Sequence, residues 1–171
     1  MKKAVFIDRD GTIIKDKHYI SKTSDVEFIN KIDEMIRLFN KMNFLVIIVT
    51  NQSGIGRGFF TENDLKILHD YIQGELKKKN AKIDAFYYCP HFHGSAIKKY
   101  DVKCGCRKPE PGLLIQAAKD FDIDISQSYM IGDKFSDILT GKNAGLRKSF
   151  LVSTETSIIE IAKKIFEYEC K

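Results

Sequence analysis

The chain has 171 residues, 43% hydrophobic and 30% charged, with a net charge of +5. That balance excludes a disordered or membrane-embedded chain and supplies enough apolar mass for one domain spanning residues 1–171. The mild positive charge favours an anionic small molecule over nucleic acid, because the lysines at 77–79 and 98–99 read as solvated surface.

Lys2-Lys3 precedes an apolar run that stops at Asp8, far too short for a secretory leader. Residues 44–49 are likewise much shorter than a membrane span. A cytoplasmic protein is expected. Its four cysteines then sit in a reducing compartment and need an explanation other than disulfides.

The first element is the run Ala4-Val5-Phe6-Ile7, which leads directly into Asp8-Arg9-Asp10-Gly11-Thr12. A short apolar run of this kind predicts a strand buried on both faces of a sheet. Its polar tip belongs at the carboxyl edge, where open α/β folds bind ligands. Asp8 and Asp10 repel each other, so the tip calls for a cation or a shared proton.

Residues 13–29 are polar and mixed; Asp16, Lys17, His18 and Tyr19 either flank a site or form a plain surface hairpin. Ile32, Met35, Ile36, Phe39 and Met42 have helical spacing and predict an amphipathic helix over residues 30–42. A second buried strand covers 45–49 and ends in Thr50-Asn51-Gln52-Ser53-Gly54-Ile55-Gly56-Arg57-Gly58. That loop is neither a dinucleotide fingerprint nor a P-loop. It does offer a hydroxyl, free backbone N–H groups and an arginine, all suited to oxygen anions.

Thr61 and Asp64 form the signature of a capped helix start, and Leu65, Leu68, Ile72 and Leu76 line one face of a helix reaching about Lys79. His69, on that helix, reads as a surface or boundary histidine with no implied partner. Residues 85–88 predict a third strand. Cys89-Pro90-His91 and Cys104-Gly105-Cys106 then supply four ligands of the kind a closed tetrahedral Zn²⁺ site uses. A closed set leaves no open position, so the metal is expected to be structural, stapling a polar loop that includes Lys98, Lys99, Tyr100 and Asp101. His93 competes with His91 but lacks its tighter register, and Cys170 is a bystander.

Arg107 and Lys108 follow the last of these cysteines and would be delivered to a fixed place. Pro111 suits the first turn of a helix with Leu114, Ala117, Ala118 and Phe121 inward. A fourth strand over 128–131 leads to Gly132-Asp133-Lys134-Phe135-Ser136-Asp137, where Asp137 either joins the site or caps the next helix. Gly145 should end that helix. A last strand at 149–152 and a helix capped by Thr156, with Ile158, Ile161, Ala162 and Ile165 inward, complete the chain. Alternating strands and helices predict an α/β fold: a three-layer, doubly wound, mostly parallel sheet.

Asp8-x-Asp10-Gly11-Thr12, Thr50, Lys108 and Gly132-Asp133-x-x-x-Asp137 together resemble the four ordered motifs of the haloacid dehalogenase superfamily. The resemblance implies a Rossmann-like phosphatase, with Asp8 as nucleophile, Asp10 as general acid and base, and Thr50 and Lys108 cradling the phosphoryl group. It also implies Mg²⁺ held by Asp8, the Asp10 main-chain carbonyl and Asp133. No segment is large enough for the inserted cap domain many members carry, so the zinc loop at about 89–106 and the 13–29 hairpin must shape the pocket.

The loop from Thr50 to Gly58, Tyr87-Tyr88-Cys89-Pro90-His91 and Gly132-Asp133-Lys134 resemble the subgroup of heptose bisphosphate and histidinol-phosphate phosphatases. This implies a phosphorylated-sugar substrate, heptose 1,7-bisphosphate, within surface-polysaccharide synthesis. Histidinol phosphate is the alternative, and a polynucleotide 3′-phosphate a more distant one. Asn51, Gln52, Ser53, Lys134, Arg107 and Arg57 join the 16–19 segment as substrate contacts, the two arginines serving a second anionic group. The resemblance further implies a monomer that binds neither nucleic acid nor membrane.

Overall fold

The computed structural model describes residues 1–153 and 156–170. Five strands, β1 (Ala4–Ile7), β2 (Leu45–Asn51), β3 (Ala85–Cys89), β4 (Tyr129–Gly132) and β5 (Lys148–Leu151), form one sheet. Every pairing is parallel, in the order β3-β2-β1-β4-β5. Three of the apolar runs read from the sequence thus become its central strands: β1 as expected, β2 two residues longer at its end and β4 one residue later.

The pleat divides the core. Val5 and Ile7 of β1 join Val46 and Ile48 of β2 on one face, against α1 (Ile32–Lys41), α3 (Glu62–Lys78) and α6 (Ile158–Glu169). Ala4 and Phe6 join Ile47 and Val49 on the other, against α4 (Gly112–Phe121). Burying one such Val, Ile or Phe side chain is worth roughly 1.5–3 kcal/mol, so the register is held strongly. A short helix, α2 (Ser53–Gly56), follows β2, and α5 (Phe135–Ala144) packs on β4 and β5.

Helix ends follow their local chemistry. Thr61 caps α3 in a full capping box with Asp64, and Gly145 ends α5 at φ +82°. The cap of α6 is Ser157 and not Thr156: the Ser157 hydroxyl accepts from the Glu160 N–H, and Glu160 accepts in return from the Ser157 N–H. The hydroxyl–Glu160 spacing of a capping box is met only from position 157.

The chain lays down β1, β2 and β3 outward, then returns to place β4 on the other side of β1. The tips of β1 and β4 therefore flank the switch point, where a crevice opens in such sheets. Asp8 and Asp133 follow those two tips.

Candidate active site

Asp8 continues the ladder one residue past β1, its N–H donating to Ile131 O at 2.9 Å. Its carboxylate is nearly covered, at 4% exposure for the residue, and faces Lys108 Nζ at 2.7 Å. Lys108 is held at two further points, Asp137 Oδ1 at 2.5 Å and Val49 O at 3.1 Å. Burial by itself would drive its pKa down, but the Asp8 and Asp137 carboxylates outweigh it and keep the ammonium above its ordinary value. Lys108 is a fixed cation.

Asp133 closes the group. One oxygen each from Asp8, Asp133 and Asp137 lie within 4.8 Å of one another. Asp133 Oδ1 is buried without a hydrogen-bond partner. Burial, then the Asp8 charge, pushes the Asp133 carboxyl up to about 6. Gly11, at φ +88°, allows this approach, because a Cβ there would collide with the Asp133 carboxylate. An orphaned carboxylate oxygen beside a second carboxylate is an oxygen-donor set that fits Mg²⁺.

Asp137 serves both alternatives left open by the sequence. Its Oδ2 accepts from the Lys134 N–H at 3.0 Å at the start of α5, and its Oδ1 pairs with Lys108. Asp10 points elsewhere: its carboxylate accepts from Gln52 Nε2 at 2.8 Å and from the Arg9 guanidinium. Gln52 also donates to Thr50 Oγ1 at 2.8 Å, so Thr50 lies buried beneath it at the end of β2.

Above these groups lies a cleft of about 380 Å³. Asp10, Asn51, Gln52, Ser53 and Ser136 form one part of its wall, and Asp16, His18 and Tyr19 another. Arg107, Lys108 and Lys134 bring positive charge to it. Asp16 Oδ1 accepts from the His18 N–H at 3.0 Å and Oδ2 pairs with Lys134 at 3.1 Å. Burial raises the Asp16 pKa, but those two contacts prevail and hold it below the usual carboxylate range.

Two of the expected residues lie outside this cleft. Lys17 turns away to Glu27 and the Asp25 carbonyl, and Arg57 stacks on the Phe92 ring with its guanidinium carbon 3.5 Å from the centroid. Neither lines the cleft, because each cation meets a better partner outside it. Asn51 does line it, but its amide is already committed to the Lys108 backbone.

Cys89, His91, Cys104 and Cys106 converge as the sequence predicts, their ligand atoms within 4.8 Å of one another. Sulfur separations of 3.1–3.5 Å are far beyond the roughly 2.05 Å of a disulfide. The Cys106 thiol, donating to Cys89, holds the Cys89 thiol down to about 5 and is itself pushed up. Three sulfurs and the His91 Nδ1 fit a tetrahedral Zn²⁺. His93 is exposed beside Asp101, and Cys170 is exposed at the far end of the chain.

The loop between the two ligand pairs is less dependent on metal than its polarity implies. Tyr100 is buried with Ile55, Phe60 and Leu65, and its hydroxyl donates to Glu62. Gly94 N–H donates to Asp101 at 2.8 Å. These anchors lie outside the ligand set.

The sequence reading missed two residues. His69 is buried, stacked on Phe86 and 3.3 Å from the buried Arg9 guanidinium. An arginine between two acids just past an apolar strand is a signal in the sequence; its partner sixty positions on is not.

Residues 105–166 match the HAD-hydrolase-like family model. The D-glycero-beta-D-manno-heptose-1,7-bisphosphate 7-phosphatase of Pasteurella multocida is 41% identical over 98% of this chain and 91% of its own length. The chain belongs to the heptose-1,7-bisphosphate 7-phosphatase family of HAD-like hydrolases. A second member, the D-glycero-alpha-D-manno-heptose-1,7-bisphosphate 7-phosphatase of Campylobacter jejuni, is 44% identical over 90% of this chain and 84% of its own. Among solved structures, a HAD-like phosphatase from Mesorhizobium loti superposes with a TM-score of 0.90 at 28% identity, covering 99% of this chain and 87% of that one. Among the described residues no helix is long and apolar enough to cross a membrane.

Proposed function

We propose that the chain removes the 7-phosphate of D-glycero-D-manno-heptose 1,7-bisphosphate through a phosphoaspartate on Asp8. The observation that carries this reading is the division of labour at one strand tip. Asp8 sits against Lys108 and Asp133, whereas Asp10, two residues on, is held apart by Arg9 and Gln52. Two carboxylates in different environments suit two roles, one nucleophilic and one acid–base.

An Asp8 oxygen attacks phosphorus in line, and the bond from phosphorus to the sugar oxygen breaks. Asp10 gives its proton to that leaving oxygen. Asp10 then takes a proton from water, whose oxygen attacks the phosphoaspartate and releases inorganic phosphate and the Asp8 carboxylate. Lys108 and Thr50 stabilise charge on the transferring oxygens. Mg²⁺, held by Asp8, the Asp10 main-chain carbonyl and Asp133, would neutralise charge on the phosphoryl group and the acids. Asp137 keeps Lys108 in place.

Zn²⁺ on Cys89, His91, Cys104 and Cys106 would fix the segment that carries Arg107 and Lys108. Arg107 and Lys134 supply positive charge for the 1-phosphate, while Asp16, His18 and Ser53 offer polar contacts to the sugar. A sheet drawing strands from both halves of the chain, with α6 packed on α1, supports one phosphatase domain over residues 1–171. We take it to be monomeric and cytoplasmic, in keeping with its reduced cysteines.

³¹P NMR of the bisphosphate treated with enzyme and Mg²⁺ tests the regiochemistry. The 7-phosphate resonance should vanish while the 1-phosphate remains. Loss of the 1-phosphate first would refute it.

A further inference from the structure

Arg9 separates the two acids, and its side chain is wholly buried. Nε meets Asp10 Oδ1 at 3.1 Å, and Nη2 meets Oδ1 and Oδ2 at 2.9 Å each. The remaining arm, Nη1, lies 3.3 Å from Nε2 of His69. A guanidinium only donates, so this contact requires an unprotonated Nε2 and a proton on Nδ1. Burial, with the Arg9 charge, favours that neutral ring by holding its pKa down to about 3. The ring is fixed in turn by stacking on Phe86, with centroids 4.4 Å apart and planes 20° apart, and by the edge of Tyr88.

We propose that His69 is a positioning residue for the Asp10 carboxylate, acting through the guanidinium of Arg9. Two guanidinium nitrogens making three contacts to one carboxylate fix the two planes relative to each other. Gln52 at the end of β2 holds the carboxylate side of the pair, and His69 on α3 anchors the guanidinium side. Small errors in the placement of a proton donor cost large factors in rate, which gives the anchor a kinetic role although it touches no substrate. The inference rests on the acid–base role proposed for Asp10.

His69→Leu removes the acceptor and keeps apolar bulk, while His69→Gln restores an acceptor oxygen. Each variant is assayed with Mg²⁺ on the heptose bisphosphate and on p-nitrophenyl phosphate, whose leaving group needs no proton. His69→Leu should lose about tenfold or more in kcat/KM on the sugar phosphate and less than about threefold on the aryl phosphate. His69→Gln should recover most of that loss. Equal losses on both substrates, no loss at all, or no recovery in His69→Gln would overturn the proposal.

Asp10→Asn is the control. If it lacks the same leaving-group split, the acid–base reading of Asp10 fails, independently of the His69 contact. A second measurement needs no variant. ¹⁵N NMR of His69 in the wild-type protein should report a protonated Nδ1 and a hydrogen-bonded, unprotonated Nε2 from pH 5 to 8. A proton on Nε2 would overturn the proposal.

Discussion

Asn51 and Lys108 grip each other twice: the Asn51 amide donates to the Lys108 carbonyl at 3.1 Å and accepts from the Lys108 N–H at 3.0 Å. The pair ties the end of β2 to the second residue past the last cysteine of the cluster. Asn51 therefore aims the lysine and spends its own polar atoms doing so. Asn51→Ala should lower kcat by about 10–100-fold and leave zinc content unchanged. Steady-state kinetics alongside metal analysis checks this; an unaltered kcat would deny Asn51 that role.

Lys108→Met leaves Asp8 and Asp137 buried without their cation. Breaking a buried pair from one side typically costs about 3–5 kcal/mol. Urea melts of the metal-free variant should show a loss of that order, and phosphate release should fall at least about a hundredfold. Wild-type stability in the variant would mean that the acids are not ionised together.

Removal of zinc, by chelator or by Cys104→Ser, should uncouple the loop from the sheet. One equivalent of zinc should be lost, activity should fall and near-ultraviolet circular dichroism should change. Far-ultraviolet dichroism should persist, because Tyr100 anchors the loop to α3 and its neighbours independently of the ligands, and the core between the sheet and α1, α3 and α6 contains none of them. Global unfolding on zinc loss would contradict that division.

Two groups, buried His69 and half-buried Asp133, oppose each other on the acid side. His69 is held down to about 3, so between about pH 6.5 and 3 the unfolded chain binds a proton that the native protein does not. Stability from His69 falls as pH drops through that window, by about 1.4 kcal/mol per pH unit. Asp133 is held up at about 6, so between about pH 4 and 6 the native protein binds the extra proton, and that contribution is lost as pH rises. In metal-free Asp133→Asn only the first slope remains. Its stability should fall more steeply than that of the wild type from pH 6 to 4; equal slopes in urea melts would contradict the assignment.

Sheet and site differ in how far they could be read from the residues alone. Val5, Ile7, Val46 and Ile48 announce buried strands because apolar runs and pleat period are local properties. Asp8, Lys108 and Asp133 were legible because each follows a strand or a cysteine pair that fixes it. Lys17 and Arg57 lie outside the cleft: a loop cation does not reveal its direction in the sequence, and Glu27 and the Phe92 ring hold them. His69 shows the same limit from the other side. Its helical position was visible, but burial against Phe86 and contact with Arg9 arise only when α3 packs on the sheet.

The most direct test of the central claim is phosphate release with Mg²⁺ from four substrates, with Asp8→Asn as the blank. They are the alpha and beta anomers of heptose 1,7-bisphosphate, histidinol phosphate and a 3′-phosphorylated oligonucleotide. One heptose anomer should show a large kcat/KM advantage, and the oligonucleotide should show no turnover above the blank. Preference for histidinol phosphate would contradict the substrate, and no turnover above the blank would contradict the catalytic assignment itself.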